Sequence, residues 1–468
     1  MNDLTLYNTL TKRIERVASS GERFTVYFCG PTVYNRAHVG NFRTYLIEDV
    51  LVRVLKLAGY RPFVARNITD VDDKTIRDSQ KVGMTLSKFT EKYTEIFHAD
   101  CGKLNILPPD VEPRAAEHIG EQIAMIETLV GHGYAYESEG SVYFRVSSFE
   151  KYGCLSNVSG RELKTQALDS AGKRNMADEY DREDASDFVL WKARKPGDGE
   201  NFWKSPWGEG RPGWHIECSA MAMKYLGETV DLHAGGVDLC FPHHENEIAQ
   251  SEACTGKPFV RHWMHIAHLM VDGAKMSKSL GNMYTLSDIE EAGFSPDALR
   301  YCLISGHYRQ PLNFTMNGLH AADNALKKLT KYGEILAEFS EIDVPSCPVT
   351  WSFLGDAYGA LLSDLNIPLC LGNLFKKFGN IDVGELGHGK KSTLAGEFFA
   401  LKYALGLRLE RENVSIPGEV QALADARWEA KMQKNYALAD ELRLKIEASG
   451  WLVNDAQTSF SVEKSENF

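Results

Sequence analysis

The run RFTVYFCGPTVYNRAHVGNFRTYLIEDVLVRVLKLAGYRPFVARNITD, residues 23–70, limits what this chain can fold into more than any other stretch. RFTVYFCG is a short apolar run that stops at Gly30 and Pro31, so it reads as a strand closed by two structure breakers. Leu46, Val50, Val54 and Leu57 then recur at steps of three and four, the period of one helix face. RPFVARNITD is a second strand, with Pro62 at its start, where no ladder hydrogen bond is lost. Strand, helix and strand in close order open a parallel, doubly wound sheet, and hence an α/β domain of the Rossmann-like kind.

From about Pro108 to Pro206 the sequence is charged and loop-rich, and REDASDFVLWKARKPGDGENFWKSPWGEG holds three tryptophans, so it reads as an insertion. The strand-like TVDLHAGG and the helical HHENEIAQSEAC resume the α/β pattern up to about Trp263. Beyond AKMSKSLGN the chain turns helical: Leu319, Ala322, Leu326, Leu329, Gly333 and Leu336 form an apolar seam for a helix bundle. Pro345 and Pro348 mark a break between two of these helices. DARWEAKMQKNYALADELRLKIEASGW reads as a terminal helical pair with Leu438, Leu442 and Ile446 on one face. The expected divisions are 1–107 and 207–264 for the halves of the Rossmann-like domain, 108–206 for the insertion, 265–314 for the KMSKS region, 315–410 for the bundle and 411–468 for a small C-terminal module.

A length of 468 residues, 43% of them hydrophobic, suits two to four domains at roughly 100–200 residues each. No apolar run approaches the ~20 residues of a bilayer span, so no membrane partner is expected. The N-terminal stretch lacks a signal-peptide core, which predicts a cytoplasmic protein. Nine scattered cysteines without a C-x-x-C pair read as reduced thiols rather than a disulfide framework. The net charge of −12 argues mildly against nucleic acid as a partner, although an acidic total can carry a basic face.

In FPHHENEIAQ, residues 241–250, His243 and Glu247 are four apart and project from one face of a helix, where they can meet one ion. His244 is expected to point elsewhere. Zinc takes nitrogen, sulfur and oxygen ligands, and the candidate thiolates are Cys29, at the end of the first strand, and Cys218, in GWHIEC. Strand ends in an open parallel sheet can bring such distant residues together. Spacing alone does not decide the matter, since a histidine packed at a helix start and a solvated glutamate give the same H-x-x-x-E pattern. HHENE also differs from the H-E-x-x-H of zinc proteases, whose glutamate lies between the ligands.

GPTVYNRAHVGN places His38 and the small Gly40 at the opening of a helix, whose free N–H groups favour an anion. No P-loop is present, so a nucleotide would be held another way. KMSKS, residues 275–279, sets Lys275 and Lys278 among hydroxyls on a loop, able to neutralise a triphosphate. A bare K-x-x-K is ordinarily a solvated loop. Its company with the histidine turn favours phosphate handling.

YFCGPTVYNRAHVGN, NITDVDDKTI, SPWGEGRPGWHIECSAM, DLHAGGVDLCFPHHENEIAQSE, WMHIAHLMVDGAKMSKSLGN and SGHYRQPLNF occur in that order along nearly the whole chain. In these blocks the sequence resembles the cysteinyl-tRNA synthetases, a class I aminoacyl-tRNA synthetase family. The resemblance implies a monomer acting on ATP with Mg2+, L-cysteine and tRNA(Cys), with one Zn2+ held by Cys29, Cys218, His243 and Glu247 and with His244 and Glu245 as supporting residues rather than ligands. It implies that His38 and Asn41 contact phosphate oxygens in the turn containing Gly40, and that Lys275 and Lys278 follow the β- and γ-phosphates. Asp238 would hold the adenosine ribose, with Gly235 and Gly236 nearby, while Thr69, Trp214 and His233 would shape the amino-acid pocket. Residues 265–314 would meet the tRNA stem, the bundle would bind tRNA, and the C-terminal module would read the anticodon through residues near Arg427, Trp428, Lys431 and Trp451.

One departure bears on rate. Where the family has His-Ile-Gly-His, this chain has His38, Val39, Gly40 and Asn41, and an asparagine offers a neutral amide where an imidazole could carry charge. The ending NDAQTSFSVEKSENF also departs from the family's usual one. The zinc answers a selectivity problem. An apolar pocket rejects an isostere such as serine by only about 10²-fold, whereas zinc prefers a thiolate to a hydroxyl. The insertion is short for a separate editing domain. Three rivals follow: a cysteine:amino-sugar ligase with the same adenylation site, a zinc-dependent hydrolase, and a non-catalytic RNA-binding paralogue. The helices of 315–468 weigh against the first, KMSKS against the second, and Asn41 keeps the third in view.

Overall fold

β-Branched and aromatic residues in FTVYF form the strand Phe24–Phe28, and PFVAR forms Pro62–Arg66 beside it in parallel. The computed structural model describes residues 3–157, 187–276, 281–339, 351–409, 417–455 and 459–464. Lys278, Pro345, Pro348 and insertion residues 158–186 lie outside them. Two compact units make up the chain, Met1–Leu409 and Glu410–Phe468.

In the first unit, four parallel strands stand in the order Val260–Ile266, Val230–Gly236, Phe24–Phe28 and Pro62–Arg66. Phe28 pairs with Ala234 on one side and Arg66 on the other, so the strand ends are level. Helix Val39–Leu57 joins the two strands of one half, and helix His243–Thr255 joins those of the other. The winding therefore reverses between Phe24–Phe28 and Val230–Gly236, and the carboxyl ends of these two strands open the crevice where such sheets bind ligands. This is the α/β class expected from residues 23–70.

Val39–Leu57 is buried nearly all round, because the sheet covers one side and helices Pro296–Ile304 and His388–Leu405 pack against others. The insertion departs from the loop-rich expectation. It contains helix Ile119–Gly131 and four strands of a five-stranded antiparallel sheet in the order Ala135–Ser138, Ser141–Phe144, Phe188–Ala193, Gly208–Pro212, Trp203–Ser205, of which Gly208–Pro212 lies just past the insertion's expected end. Strands of three to six residues, separated by turn glycines such as Gly140 and Gly208, are too short to show a clear period in the sequence.

The bundle comprises Met316–Ala337, Gly355–Leu362, Ile367–Asn380 and His388–Leu405. Met316–Ala337 buries the same six residues that the spacing singled out. The segment leading into Gly355–Leu362 is anchored by the buried Glu397 carboxylate, which accepts the backbone N–H groups of Ser352, Phe353 and Leu354.

The second unit has helices Gly418–Met432 and Tyr436–Ala448 and the hairpin Trp451–Asp455 with Phe460–Lys464, around Val420, Ala424, Ile446, Trp451 and Val453. Leu438, expected on the buried face, is 42% exposed. The Asn435 side chain accepts the Leu438 N–H and fixes the first turn, so that Ala439, Leu442 and Ile446 point inward instead. No helix among the described residues is long and apolar enough to cross a membrane.

Candidate active site

A cavity of about 730 Å³ opens at the carboxyl ends of the central strands. Cys29, His38, Gly40 and Asn41 line it from the first strand and its turn, together with Trp214, Gly236, Asp238 and Lys275. Gly30 has no alternative at the strand end. Its N–H donates to Asn67 Oδ1 at 2.9 Å, and a Cβ there would lie 1.6 Å from the Asn67 carbonyl oxygen. At Gly40 a Cβ would lie 2.7 Å from Met276 Cε and 3.0 Å from His38 Nδ1.

His38 and Asn41 form a capping box. The Asn41 N–H donates to His38 Nδ1 at 3.3 Å, and the His38 N–H donates to Asn41 Oδ1 at 3.1 Å. His38 thus spends Nδ1 on the helix, while Asn41 turns its side-chain oxygen toward the His38 N–H. The asparagine fits the turn by closing the helix end.

Beneath the cavity floor, ligand atoms of Cys29, Cys218, His243 and Glu247 lie within 4.8 Å of one another, and all four residues are buried. Cys29 Sγ is 3.8 Å from Glu247 Oε1, and His243 Nε2 is 3.1 Å from the same oxygen. Bond lengths of about 2.0–2.3 Å to a tetrahedral ion would place ligand atoms roughly 3.3–3.8 Å apart, so the cluster is the right size for zinc. Its electrostatics agree. The hydrogen bond from Cys29 outweighs burial and, with His243, brings the Cys218 thiol down to about 6, whereas burial and Cys218 push Cys29 well up. Burial works against charge on His243 and Glu247, yet Cys218 and Glu247 raise His243 to about 10, and His233 and His243 hold Glu247 down to about 2. Two thiols, a carboxylate and an imidazole gathered out of water make a donor set suited to a divalent cation.

Of the predicted amino-acid pocket, Trp214 lines the cavity with its ring centroid 4.3 Å from that of His243. Thr69 and His233 sit behind the wall. Thr69 Oγ1 accepts from Asn67 Nδ2 at 3.0 Å, and His233 Nε2 contacts Glu247 Oε2 at 3.1 Å. Gly235 is also deeper, where a Cβ would lie 3.0 Å from both His244 Cε1 and Leu239 Cδ1.

His244 does not point elsewhere. Its Nε2 is 3.4 Å from Cys29 Sγ, and Cys29, His233, His244 and Glu247 form a second set within 4.8 Å. The helix start is enclosed on every side, so neighbouring positions 100° apart on the helix both meet the core. Sequence reasoning missed two further histidines: His215 Nδ1 is 2.9 Å from His243 Nδ1, and His265 Nε2 is 2.8 Å from His244 Nδ1. Glu245, on the same turn, holds the insertion by accepting the N–H groups of Gly153 and Ser156, both at 2.8 Å. A histidine at the start of helix Trp214–Leu226 and one near the end of strand Val260–Ile266 were the available signal.

In the second unit, Arg427 is buried and grips Asp455 with two hydrogen bonds of 2.7 and 2.8 Å, and Trp451 belongs to the core. These two stabilise the module, and their side chains are not free for bases. Lys431 pairs with Asp455 and lies 5.4 Å from the ring centroid of Trp428. Met432 and Tyr436, at the turn between the two helices, are 68% and 60% exposed.

The family described as tRNA synthetases class I (C) catalytic domain matches residues 15–324. A cysteine–tRNA ligase of Opitutus terrae is 50% identical over 468 residues, covering 98% of this chain and 99% of that protein. A cysteine–tRNA ligase of Chlamydia trachomatis serovar A is 43% identical over 487 residues, covering 99% and 100%. Among solved structures, Mycobacterium tuberculosis methionyl-tRNA synthetase bound by methionyl-adenylate superposes with a TM-score of 0.56, covering 82% of this chain and 90% of that one. At 14% identity that likeness is one of fold.

Proposed function

The chain belongs to the cysteine–tRNA ligase family of class I tRNA synthetases, and from that premise we propose that it joins L-cysteine to tRNA(Cys) through a cysteinyl-adenylate. Cys29, Cys218, His243 and Glu247 would hold a zinc ion. When bound, that ion supplies a soft Lewis acid that favours a thiolate over the hydroxyl of serine.

One observation carries this reading: Cys29 both lines the cavity and belongs to the buried cluster, so the selecting site opens onto the floor of the substrate cleft. Trp214 closes the cleft beside it and excludes water from the amino-acid side chain. In the first step the cysteine carboxylate attacks the α-phosphate of ATP, and pyrophosphate leaves. His38 Nε2 and the Asn41 amide donate to phosphate oxygens at the helix N-terminus, and Lys275 with Lys278 neutralises the departing pyrophosphate. Asp238 receives the ribose hydroxyls. In the second step a terminal ribose hydroxyl of the tRNA attacks the acyl carbon, and AMP leaves. The protein's part in both is alignment and charge stabilisation.

Cysteine-dependent exchange of pyrophosphate into ATP by the zinc-loaded chain, followed by charging of a tRNA(Cys) transcript, is the test. Absence of exchange would sink the adenylation step, and exchange without charging would favour a ligase that passes cysteine to another acceptor.

A further inference from the structure

Six arginines among the described residues are buried: Arg43, Arg53, Arg66, Arg211, Arg300 and Arg427. Five have carboxylate partners. Arg53 and Arg300 pair with Asp49, Arg66 with Glu112, Arg211 with Asp73 and Asp198, and Arg427 with Asp455. Arg43 is the exception. It donates only to backbone carbonyls: Nε to Ala267 at 3.2 Å, Nη1 to Leu303 at 3.0 Å, and Nη2 to His307 at 3.2 Å and Gln310 at 2.9 Å. Burial lowers its pKa to about 10, which leaves it a cation at neutral pH. Carbonyl dipoles satisfy its donors but leave its charge without a counter-ion among the described residues, an arrangement that buried ions ordinarily avoid.

Its place gives the exception a meaning. Arg43 lies on helix Val39–Leu57, just beyond the capping box of His38 and Asn41. Ala267, whose carbonyl it holds, lines the cavity, as do His268, Leu269 and Met270 after it. Gln310 precedes Pro311, another lining residue. The guanidinium therefore ties the phosphate-turn helix to two stretches of the cleft wall from one layer behind it.

We propose that Arg43 is a positioning residue for the nucleotide, setting the Ala267–Met270 wall and the Gln310–Pro311 turn against the phosphate-binding helix, with a charge completed by the polyphosphate that enters the cleft. The proposal rests on the reading of the cleft as an ATP site. It assigns the missing counter-ion to the substrate: the cation acts through the wall it holds and through the field it adds to a site shielded from water.

Arg43→Gln and Arg43→Lys in the full, zinc-loaded chain test it, because both side chains can hydrogen-bond and only lysine keeps a cation. The readouts are equilibrium affinities for a non-hydrolysable ATP analogue and for L-cysteine, with zinc content as a control on the fold. Glutamine is expected to weaken the analogue at least about 10-fold and lysine to recover part of that loss, while cysteine affinity stays within about 2-fold. Equal analogue affinities for the two variants would overturn the proposal, as would parallel losses for analogue and cysteine, which mark a general scaffold. Should the glutamine chain not fold, lysine alone decides: a loss confined to the analogue agrees, and no loss or a parallel loss overturns. Analogue binding needs no catalysis, so a wild-type chain without cysteine-dependent exchange would fell the functional reading and leave this measurement standing.

Discussion

The two ends of the cleft are built on opposite plans. At the floor, Cys29, Cys218, His243 and Glu247 are buried, and His233, His215 and His244 contact them at 2.9–3.4 Å. At the mouth, His38 and Gly40 are half-buried, Asn41 is exposed, a two-residue cap joins His38 to Asn41, and Lys275 ends the short strand Ala274–Lys275. Under the proposed function, the difference follows from what each end would handle. A site that must tell one atom from another gains from ligands that cannot move, whereas a site that follows a leaving pyrophosphate must let its cations travel. Rigidity would serve choice at the floor, and mobility would serve turnover at the mouth.

Removing a floor ligand is expected to have the largest effect. Cys218→Ser exchanges a soft donor for a hard one at nearly the same size. Outer partners of metal ligands are each worth about 10- to 100-fold in affinity, so a direct ligand should cost at least about 100-fold in zinc binding. Titration against a competing chelator measures this, and cysteine-dependent exchange should fall with it while affinity for an ATP analogue stays. Unchanged zinc affinity and cysteine preference in the variant would end the view of the floor as the selecting site.

Next in size is the mouth. His38→Ala removes the proposed donor to the phosphate and the acceptor that caps the helix. Loss of one such transition-state donor typically costs about 10²–10³-fold in rate. The exchange rate should drop by that factor with zinc content and cysteine affinity intact, because His38 caps the helix Val39–Leu57 at the mouth while the candidate ligands lie buried at the floor. A loss of zinc along with rate would show that the two ends are mechanically one and would break the comparison.

The two ends were also unequally legible in the sequence. Helical spacing alone put His243 and Glu247 on one face, just as the steps of three and four picked out the six residues that Met316–Ala337 buries. Periodicity reports one wet face and one dry face, however, and it fails where a helix has no wet face. The first turns of His243–Thr255 are buried throughout, so the inward reach of His244 and the grip of Glu245 on the insertion left no pattern to read. The insertion's sheet was hidden by strands too short to alternate clearly, and Leu438 by a cap that rotates the first turn. Arg43 escaped for another reason. Its partners are backbone carbonyls, and a carbonyl is the same in every residue.

The smallest effect is expected at Asn41, and it sharpens the account of the mouth. Asn41→His makes the turn read His-Val-Gly-His, adding a group able to bear charge near the proposed phosphate site. It also removes Oδ1, which accepts the His38 N–H and closes the helix end. Losing a cap of this kind costs about 0.5–2 kcal/mol, and part of that would appear as a looser His38, the donor that matters more. Gain and loss oppose each other, so the exchange rate should stay within about 3-fold of the parent while thermal unfolding shifts slightly downward. A rise beyond about 10-fold would show that charge at position 41 outweighs the geometry of the turn. In that case the capping box would be a local substitute for a missing imidazole, and the mouth would be limited by its electrostatics rather than by the placement of His38.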